Sequence, residues 1–314
     1  MFNIEMDQLD PNKIYDLIIL GGGPSALACA IYAERFAMDI LVIGKMYGGL
    51  ISTTHVVENY PGITSVSGSE LMEMFRDHIN SLNIPFITDE ISIIKKEKNH
   101  FLVNSNFQTF RTYSICIATG SERKKLNIPG ETEFTGRGVS YCATCDGPFF
   151  KDKVVCVVGG SDSAAKEALF LAQNAKKVYI VYRGEEIRAE PINTKRVLEN
   201  QKIEIVYNTI ITEIKGDLSV KYVIFNNGQD FPVDGVFIEV GNIPASKLAI
   251  ELGVKVNEKK EIIINRKSET NIRGIFAAGD VADAPFKQAI TGVAEGVIAA
   301  YSAFDHVKQM KIEY

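Results

Sequence analysis

The chain has few of the residues that bind metals or staple loops: five cysteines and four histidines in 314 residues. The histidines (His55, His78, His100 and His306) are scattered, and only one close cysteine pair occurs, so no stretch assembles the four ligands of a structural zinc site. No apolar run reaches the roughly 18 residues of a membrane-crossing helix. The opening MFNIEMDQLDPNK is polar and acidic, without an apolar signal core. Basic stripes are absent and formal net charge is −5, which argues against a nucleic-acid partner. These absences predict a cytoplasmic protein with no metal, membrane or nucleic acid attached to its function.

What is present is an ordinary globular composition, 46% hydrophobic and 23% charged. The length is about twice that of a common domain, which predicts two domains, each with its own core. Cys29, Cys116 and Cys156 lie inside apolar runs and read as small buried hydrophobes. An odd cysteine count in a reducing compartment is a poor basis for a disulfide framework. Cys142 and Cys145, in YCATCDGPFF, are left to explain.

The run Tyr15 to Leu20 ends in Gly21-Gly22-Gly23-Pro24-Ser25-Ala26, after which ALACAIYAERF has helical spacing and DILVIG reads as a buried strand. Strand, glycine turn, helix and strand make a βαβ nucleotide-binding unit. The same order returns at KVVCVV, Gly159-Gly160-Ser161-Asp162-Ser163-Ala164, AKEALFLAQNA and VYIVY. The fold class predicted is α/β, with two Rossmann-like nucleotide-binding units, which mean two separate dinucleotide sites or one ancestral unit used twice. Alternating apolar and polar residues after each unit (ISIIKKEKNHFLVNSNFQTFRTYSICIATG, and IEIVYNTIITEI through VFIEVG) predict a β insert in each domain. The last segment holds one buried strand (GIFAAGD) and a small-residue helix, too little for a third core, so it is expected to complete the first domain. Crossings near Ser121 and Pro244 then divide the chain into 1–121 with 246–314, and 122–245 inserted between them.

Gly21-x-Gly23-x-x-Ala26 has the glycine roles of a dinucleotide turn: a tight turn, backbone approach to a pyrophosphate, and close helix packing. The acid that usually follows about 20 residues later is replaced by Gly44 and Lys45. The strand ends ATG (118–120) and AAGD (277–280) each set a small residue beside a polar one. The Asp280 carboxylate suits the hydroxyls of a sugar-alcohol chain, and Lys287-Gln288-Ala289 suits a helix opening against a flavin ring; together they point to FAD. For CATC, zinc lacks ligands and a permanent staple would close a tiny loop in a reducing cytosol. A reversible dithiol is left, in which one thiol is acidified and its neighbour resolves a mixed disulfide. Asp146 stands next to it as a proton acceptor and donor.

ENYPG (58–62), CATCDG (142–147), the two glycine turns and GDV…KQA (279–289) occur in this order in the low-molecular-weight thioredoxin reductases, which the chain resembles from about Tyr15 to Phe304. The resemblance implies an FAD domain made from both chain ends, an inserted pyridine-nucleotide domain bearing the dithiol, a homodimer, and a swing of one domain relative to the other. It implies that Cys145 faces the flavin, that Cys142 attacks the disulfide of a thioredoxin-like or glutaredoxin-like protein, and that Asp146 is the acid. It places FAD contacts on Gly21, Gly23, Pro24, Ser25, Ala26 and Lys45, on Gly49, Leu50 and Asn59, on Thr119 and Gly120, and on Gly279, Asp280, Lys287, Gln288 and Ala289. NAD(P) contacts fall on Gly159, Gly160, Ser161, Asp162, Ser163, Arg183 and Arg188.

The second unit departs from the family pattern. Ser161 stands where a glycine is usual, and the family's His-Arg-Arg plus third Arg, which grips the NADPH 2′-phosphate, reads Tyr182-Arg183-Gly184-Glu185-Glu186-Ile187-Arg188. Losing one charge-assisted contact, worth roughly 1.5–3 kcal/mol, weakens NADPH by about tenfold to a hundredfold. The expected function is NADPH- or NADH-dependent reduction of a thioredoxin-like disulfide. Two alternatives stay open at this stage: a flavin thioredoxin reductase fed by ferredoxin or another carrier, and a flavin-binding redox sensor that does not turn over.

Overall fold

The computed structural model describes residues 13–313. The chain opens with β1 (Ile14–Leu20), buried from Tyr15 onward, then α1 (Pro24–Arg35) and β2 (Ile40–Gly44). α2 (Gly68–Ser81) starts at a capping box in which Ser67 and Glu70 satisfy each other's backbone N–H. β3 (Phe86–Thr88), β4 (Ile91–Lys96), β5 (Phe101–Ser105) and β6 (Thr109–Ile117) follow. β3, β2, β1 and β6 lie side by side and parallel, with Leu17 opposite Ile40 and Ile18 opposite Ile115. Residues 17–20 of β1 and all of β2 are apolar without alternation because both faces of a parallel sheet are covered. The N-terminal half of β6 instead takes β5 in antiparallel register, which gives FLVNS its alternating burial, and β5 takes β4, where a register shift between Ile91 and Ile93 leaves Ile94 as the buried residue of that strand.

After β7 (Ser121–Arg123) comes the second βαβ unit. β8 (Val139–Ser140) leads into the short helix α3 (Ala143–Asp146), then β9 (Val154–Val158), α4 (Asp162–Asn174) and β10 (Lys177–Val181). α5 (Pro191–Glu199) and β11 (Ile203–Val206) follow. β12 (Ile211–Gly216), β13 (Val220–Phe225) and β14 (Asp230–Pro232) form an antiparallel sheet of their own, before β15 (Gly235–Ile238) returns. The parallel sheet here has the order β11-β10-β9-β15-β8.

β16 (Asn242–Pro244) pairs with β7, so the two crossings form one ribbon. α6 (Lys247–Glu251), β17 (Ile275–Ala277) and the long α7 (Ala289–Glu313) complete the chain. β17 adds to the C-terminal half of β6, with Ile275 opposite Ile115. Contacts divide the molecule into two compact units, one made by the chain up to Glu122 and from Ile243 onward, the other by Arg123–Asn242. Each unit has two apolar clusters drawn wholly from its own residues. Among the described residues no helix is long and apolar enough to cross a membrane.

Candidate functional site

In the first unit the turn after β1 is pressed between strand ends. Gly21 has φ +134°, and a Cβ there would run into the Ala118 carbonyl at the end of β6, so a left-handed, unsubstituted residue is needed on both counts. Gly23 is the N-cap of α1 and supplies no side-chain cap, with Pro24 at the first helical turn. The N–H groups of that turn therefore face outward without a side-chain acceptor, as an anion-binding helix start requires.

Of the other residues expected on this side, Gly49 and Gly279 pack against the same turn. Gly49, at φ +64°, lies so that its Cβ position is 3.1 Å from the Gly23 Cα, and Leu50 begins the helical turn after it. Gly279 abuts the Ser25 side chain, as does Gly292 on α7. Asn59 Nδ2 donates to Gln288 Oε1 at 3.1 Å, joining two positions far apart in the chain. Gly120 has φ +67° with open space where a Cβ would stand. Ala26 is fully buried against the sheet, and Ala289 opens α7.

Three expected residues are engaged elsewhere. Lys45 Nζ pairs with Glu90 at 2.6 Å, and Thr119 Oγ1 donates to the Ala245 carbonyl at 2.8 Å. Lys287 Nζ is held by Glu261 Oε1 at 2.6 Å and by the Asp280 carbonyl at 2.8 Å. Asp280 itself is raised from its ordinary value by burial, against the opposing pull of Lys287, and Ser121 Oγ reaches it only at 3.5 Å. Such a desolvated carboxyl suits hydroxyl donors from a sugar-alcohol chain. The uncapped α1, the glycine-lined turn and Asp280 thus fit the pyrophosphate and polyol of FAD.

The redox element lies in the second unit. Cys142 and Cys145 are joined as a disulfide, with Cα atoms 5.4 Å apart across α3. Cys142 caps that turn, and the Cys145 N–H donates to Cys142 Sγ at 3.2 Å. Ser140, which the sequence did not single out, organises the turn: its Oγ donates to Asp146 Oδ2 at 2.6 Å and accepts from the Cys142 N–H at 3.0 Å. Cys145 is exposed and Cys142 half-buried. The other three cysteines are free and buried.

Behind α3 lies a charged cluster that was equally silent in the sequence. The Ala143 N–H donates to Glu167 Oε1 at 3.3 Å, and Arg123 pairs with both Glu239 and, at 3.9 Å, Glu167. Burial, then the charge of Glu239, pushes Glu167 up to about 8. Glu239 is likewise raised by burial, while Arg123 opposes the rise. Two acids sharing one arginine in a dry place hold a proton at neutral pH.

On the glycine turn of the second unit, Gly159 (φ +149°) packs against the Glu239 carbonyl. Ser161 is the N-cap of α4 without a side-chain cap, and Ser163 is exposed. Asp162 accepts from the Glu190 N–H and from Asn193 Nδ2, both at 2.9 Å, and pairs with Lys166 at 2.9 Å. Burial works against its charge, but these bonds win and hold the carboxyl below its ordinary value. Arg183 and Arg188 are exposed, and the Arg188 N–H donates to the Gly160 carbonyl at 2.6 Å.

Comparison with known proteins shows the family. The family model described as pyridine nucleotide-disulphide oxidoreductase matches residues 15–296. The thioredoxin reductase of Bacillus subtilis is 37% identical over 310 residues, covering 96% of this chain and 98% of that one. The crystal structure of Lactococcus lactis thioredoxin reductase in its FR conformation superposes with a TM-score of 0.91 at 35% identity, covering 94% of this chain and 99% of the other. A ferredoxin-flavin thioredoxin reductase from Clostridium acetobutylicum is 33% identical with a TM-score of 0.52, covering 94% and 98%.

Proposed function

Because the chain belongs to the pyridine nucleotide-disulphide oxidoreductases and, among them, to the thioredoxin reductases, we propose that it passes electron pairs from NADPH or NADH through FAD and the Cys142–Cys145 pair to a thioredoxin-like or glutaredoxin-like protein. The observation that carries the reading is the disulfide itself, set in a turn whose backbone N–H already bonds the Cys142 sulfur. FAD, when bound, supplies electrons two at a time. Gly21, Gly23, Pro24, Ser25 and Ala26 would hold its pyrophosphate, with Gly49, Leu50, Asn59, Gly120, Gly279, Asp280, Gln288 and Ala289 around it. The enzyme is proposed to act in the cytoplasm as a homodimer.

Reduction of the Cys142–Cys145 bond takes two electrons and two protons and leaves two thiols. Asp146, bonded by Ser140 within the same turn, is the group placed to hold one of those protons. When Cys142 ionises, the Cys145 N–H stabilises the thiolate, since a charged acceptor strengthens the bond it already receives. That thiolate attacks the partner disulfide, one partner sulfur leaves and takes up a proton, and a mixed disulfide forms. Cys145 then attacks the Cys142 sulfur, the partner departs as a dithiol, and the internal disulfide is restored.

The test separates the two sulfurs. Cys142→Ser is expected to lose thioredoxin reduction to background, and Cys145→Ser to accumulate a covalent adduct with thioredoxin through Cys142, visible as a mass increase under non-reducing conditions. Adduct formation by Cys142→Ser instead would reverse the roles.

A second reading of the electron source rests on Ser161, which puts a side chain where backbone meets a pyrophosphate, and on the likeness to a ferredoxin-flavin enzyme. Anaerobic mixing of the FAD-loaded enzyme with NADPH, with NADH and with reduced ferredoxin decides between the sources. Flavin bleaching by a nucleotide at micromolar concentration supports the first reading; bleaching by ferredoxin alone supports the second.

A further inference from the structure

In a βαβ nucleotide-binding unit the adenosine ribose lies beside the end of the second strand, about 20 residues past the first glycine, and an arginine there accommodates a 2′-phosphate. In the second unit that place follows β10 and begins at Tyr182. The backbone of Tyr182 is fixed on both sides: its N–H donates to the Val206 carbonyl at 2.9 Å, and its carbonyl accepts from the Thr209 N–H at 3.1 Å.

The ring of Tyr182 rests on two glycines. A Cβ on Gly160 would stand 2.5, 2.6 and 2.6 Å from ring atoms Cδ2, Cε2 and Cγ, near-equal distances that mean a ring face. A Cβ on Gly184 would stand 2.7 and 2.9 Å from Cε1 and Cζ and 3.1 Å from the hydroxyl oxygen. Neither glycine has positive φ, so backbone conformation does not demand glycine at either position. The aromatic ring does. Residue 184 therefore cannot carry a side chain, an arginine included, while Tyr182 keeps this seat.

The charges that remain around the seat cancel. Arg183 and Arg188 are exposed, as are Glu185 and Glu186 between them. Exposed cations flanked by acids contribute little to holding a phosphate. The first turn of α4 also starts with the carboxylate of Asp162, which offsets the positive end of that helix.

We propose that Tyr182 is a specificity-determining residue: its ring, seated on Gly160 and Gly184, keeps a cation out of position 184, so that the second unit gives the 2′-phosphate of NADPH no preference over the 2′-hydroxyl of NADH. The proposal rests on the reading that this unit receives a pyridine nucleotide. It is tested without turnover, by calorimetric titration of the FAD-loaded enzyme with 2′,5′-ADP and with 5′-AMP, in the wild type, in Gly184→Arg and in Tyr182→Ala/Gly184→Arg.

The wild type is expected to bind the two fragments within about threefold of each other. The double variant is expected to favour 2′,5′-ADP by about tenfold or more, the size of one charge-assisted contact. Gly184→Arg alone is expected to gain less and to melt at a lower temperature, since its new side chain meets the ring. A wild-type preference of tenfold or more for 2′,5′-ADP overturns the proposal and leaves the nucleotide reading standing. A gain in Gly184→Arg equal to that of the double variant overturns the role of the ring. Failure of all three proteins to bind either fragment overturns both the proposal and the nucleotide reading, while the thiol assignment is judged separately by the cysteine variants.

Discussion

Glu167, which accepts from the Ala143 N–H in the turn that carries the disulfide, makes the stability of the fold depend on pH. Its carboxyl, raised to about 8 by burial and by Glu239, binds a proton in the folded chain that the unfolded chain releases near the ordinary glutamate value of 4.5. Between those two values the folded state holds more protons than the unfolded state, so the stability contributed by this group falls as pH rises and levels off above about 8. Glu167→Gln keeps an acceptor for the Ala143 N–H and cannot ionise. Its melting temperature is expected to gain on the wild type as pH is raised from about 5 to about 8.5; a difference that stays constant over that range refutes the shared proton. At this scale the sequence was legible only in part. Cys142, Cys145 and Asp146 announced themselves by spacing, whereas Arg123, Glu167 and Glu239 lie far apart in the chain and no local pattern joins them. Gly184 was readable as a missing arginine, but nothing in the sequence tied it and Gly160 to one tyrosine ring.

Among the elements, α1 and α7 show why the small-residue run near the chain end matters. Gly296 approaches α1 so closely that a Cβ would meet the Ser25 carbonyl, and Gly292 meets the Ser25 hydroxyl. Gly296→Val therefore pushes on the very turn proposed to hold a pyrophosphate. Overpacking of this kind costs about 1–3 kcal/mol. The variant is expected to lose several degrees of melting temperature and to purify with a lower flavin-to-protein ratio; full flavin content with unchanged melting would separate the helix contact from the cofactor site. Both βαβ units were legible because a buried strand, a glycine turn and a helix form a local, repeated pattern. The helix AITGVAEGVIAAYSAF was legible as a helix, but its partner was not, since close approach is written only as small residues and names no opposite face.

For the whole molecule, the separation of the apolar clusters has a direct consequence. The clusters of Arg123–Asn242 use no residue from outside that span, and both of its crossings lie at one ribbon. A fragment of residues 123–242 is expected to fold by itself, with a cooperative thermal transition and dispersed amide resonances, whereas residues 13–122 alone are not, because Ile275, Phe276, Ala277, Ala299, Ala300 and Ala303 are missing from their core. A molten 123–242 fragment would show that its two clusters depend on the rest of the chain. The same topology fixes an order of events during synthesis. The C-terminal half of β6 waits beside an open sheet edge until Ile275–Ala277 has left the ribosome, by which time the inserted unit has been translated in full. The unit that carries Cys142 and Cys145 is thus translated in full before the site proposed to hold flavin can be completed, and the unpaired edge of the nascent first unit is the stretch open to wrong strand partners meanwhile.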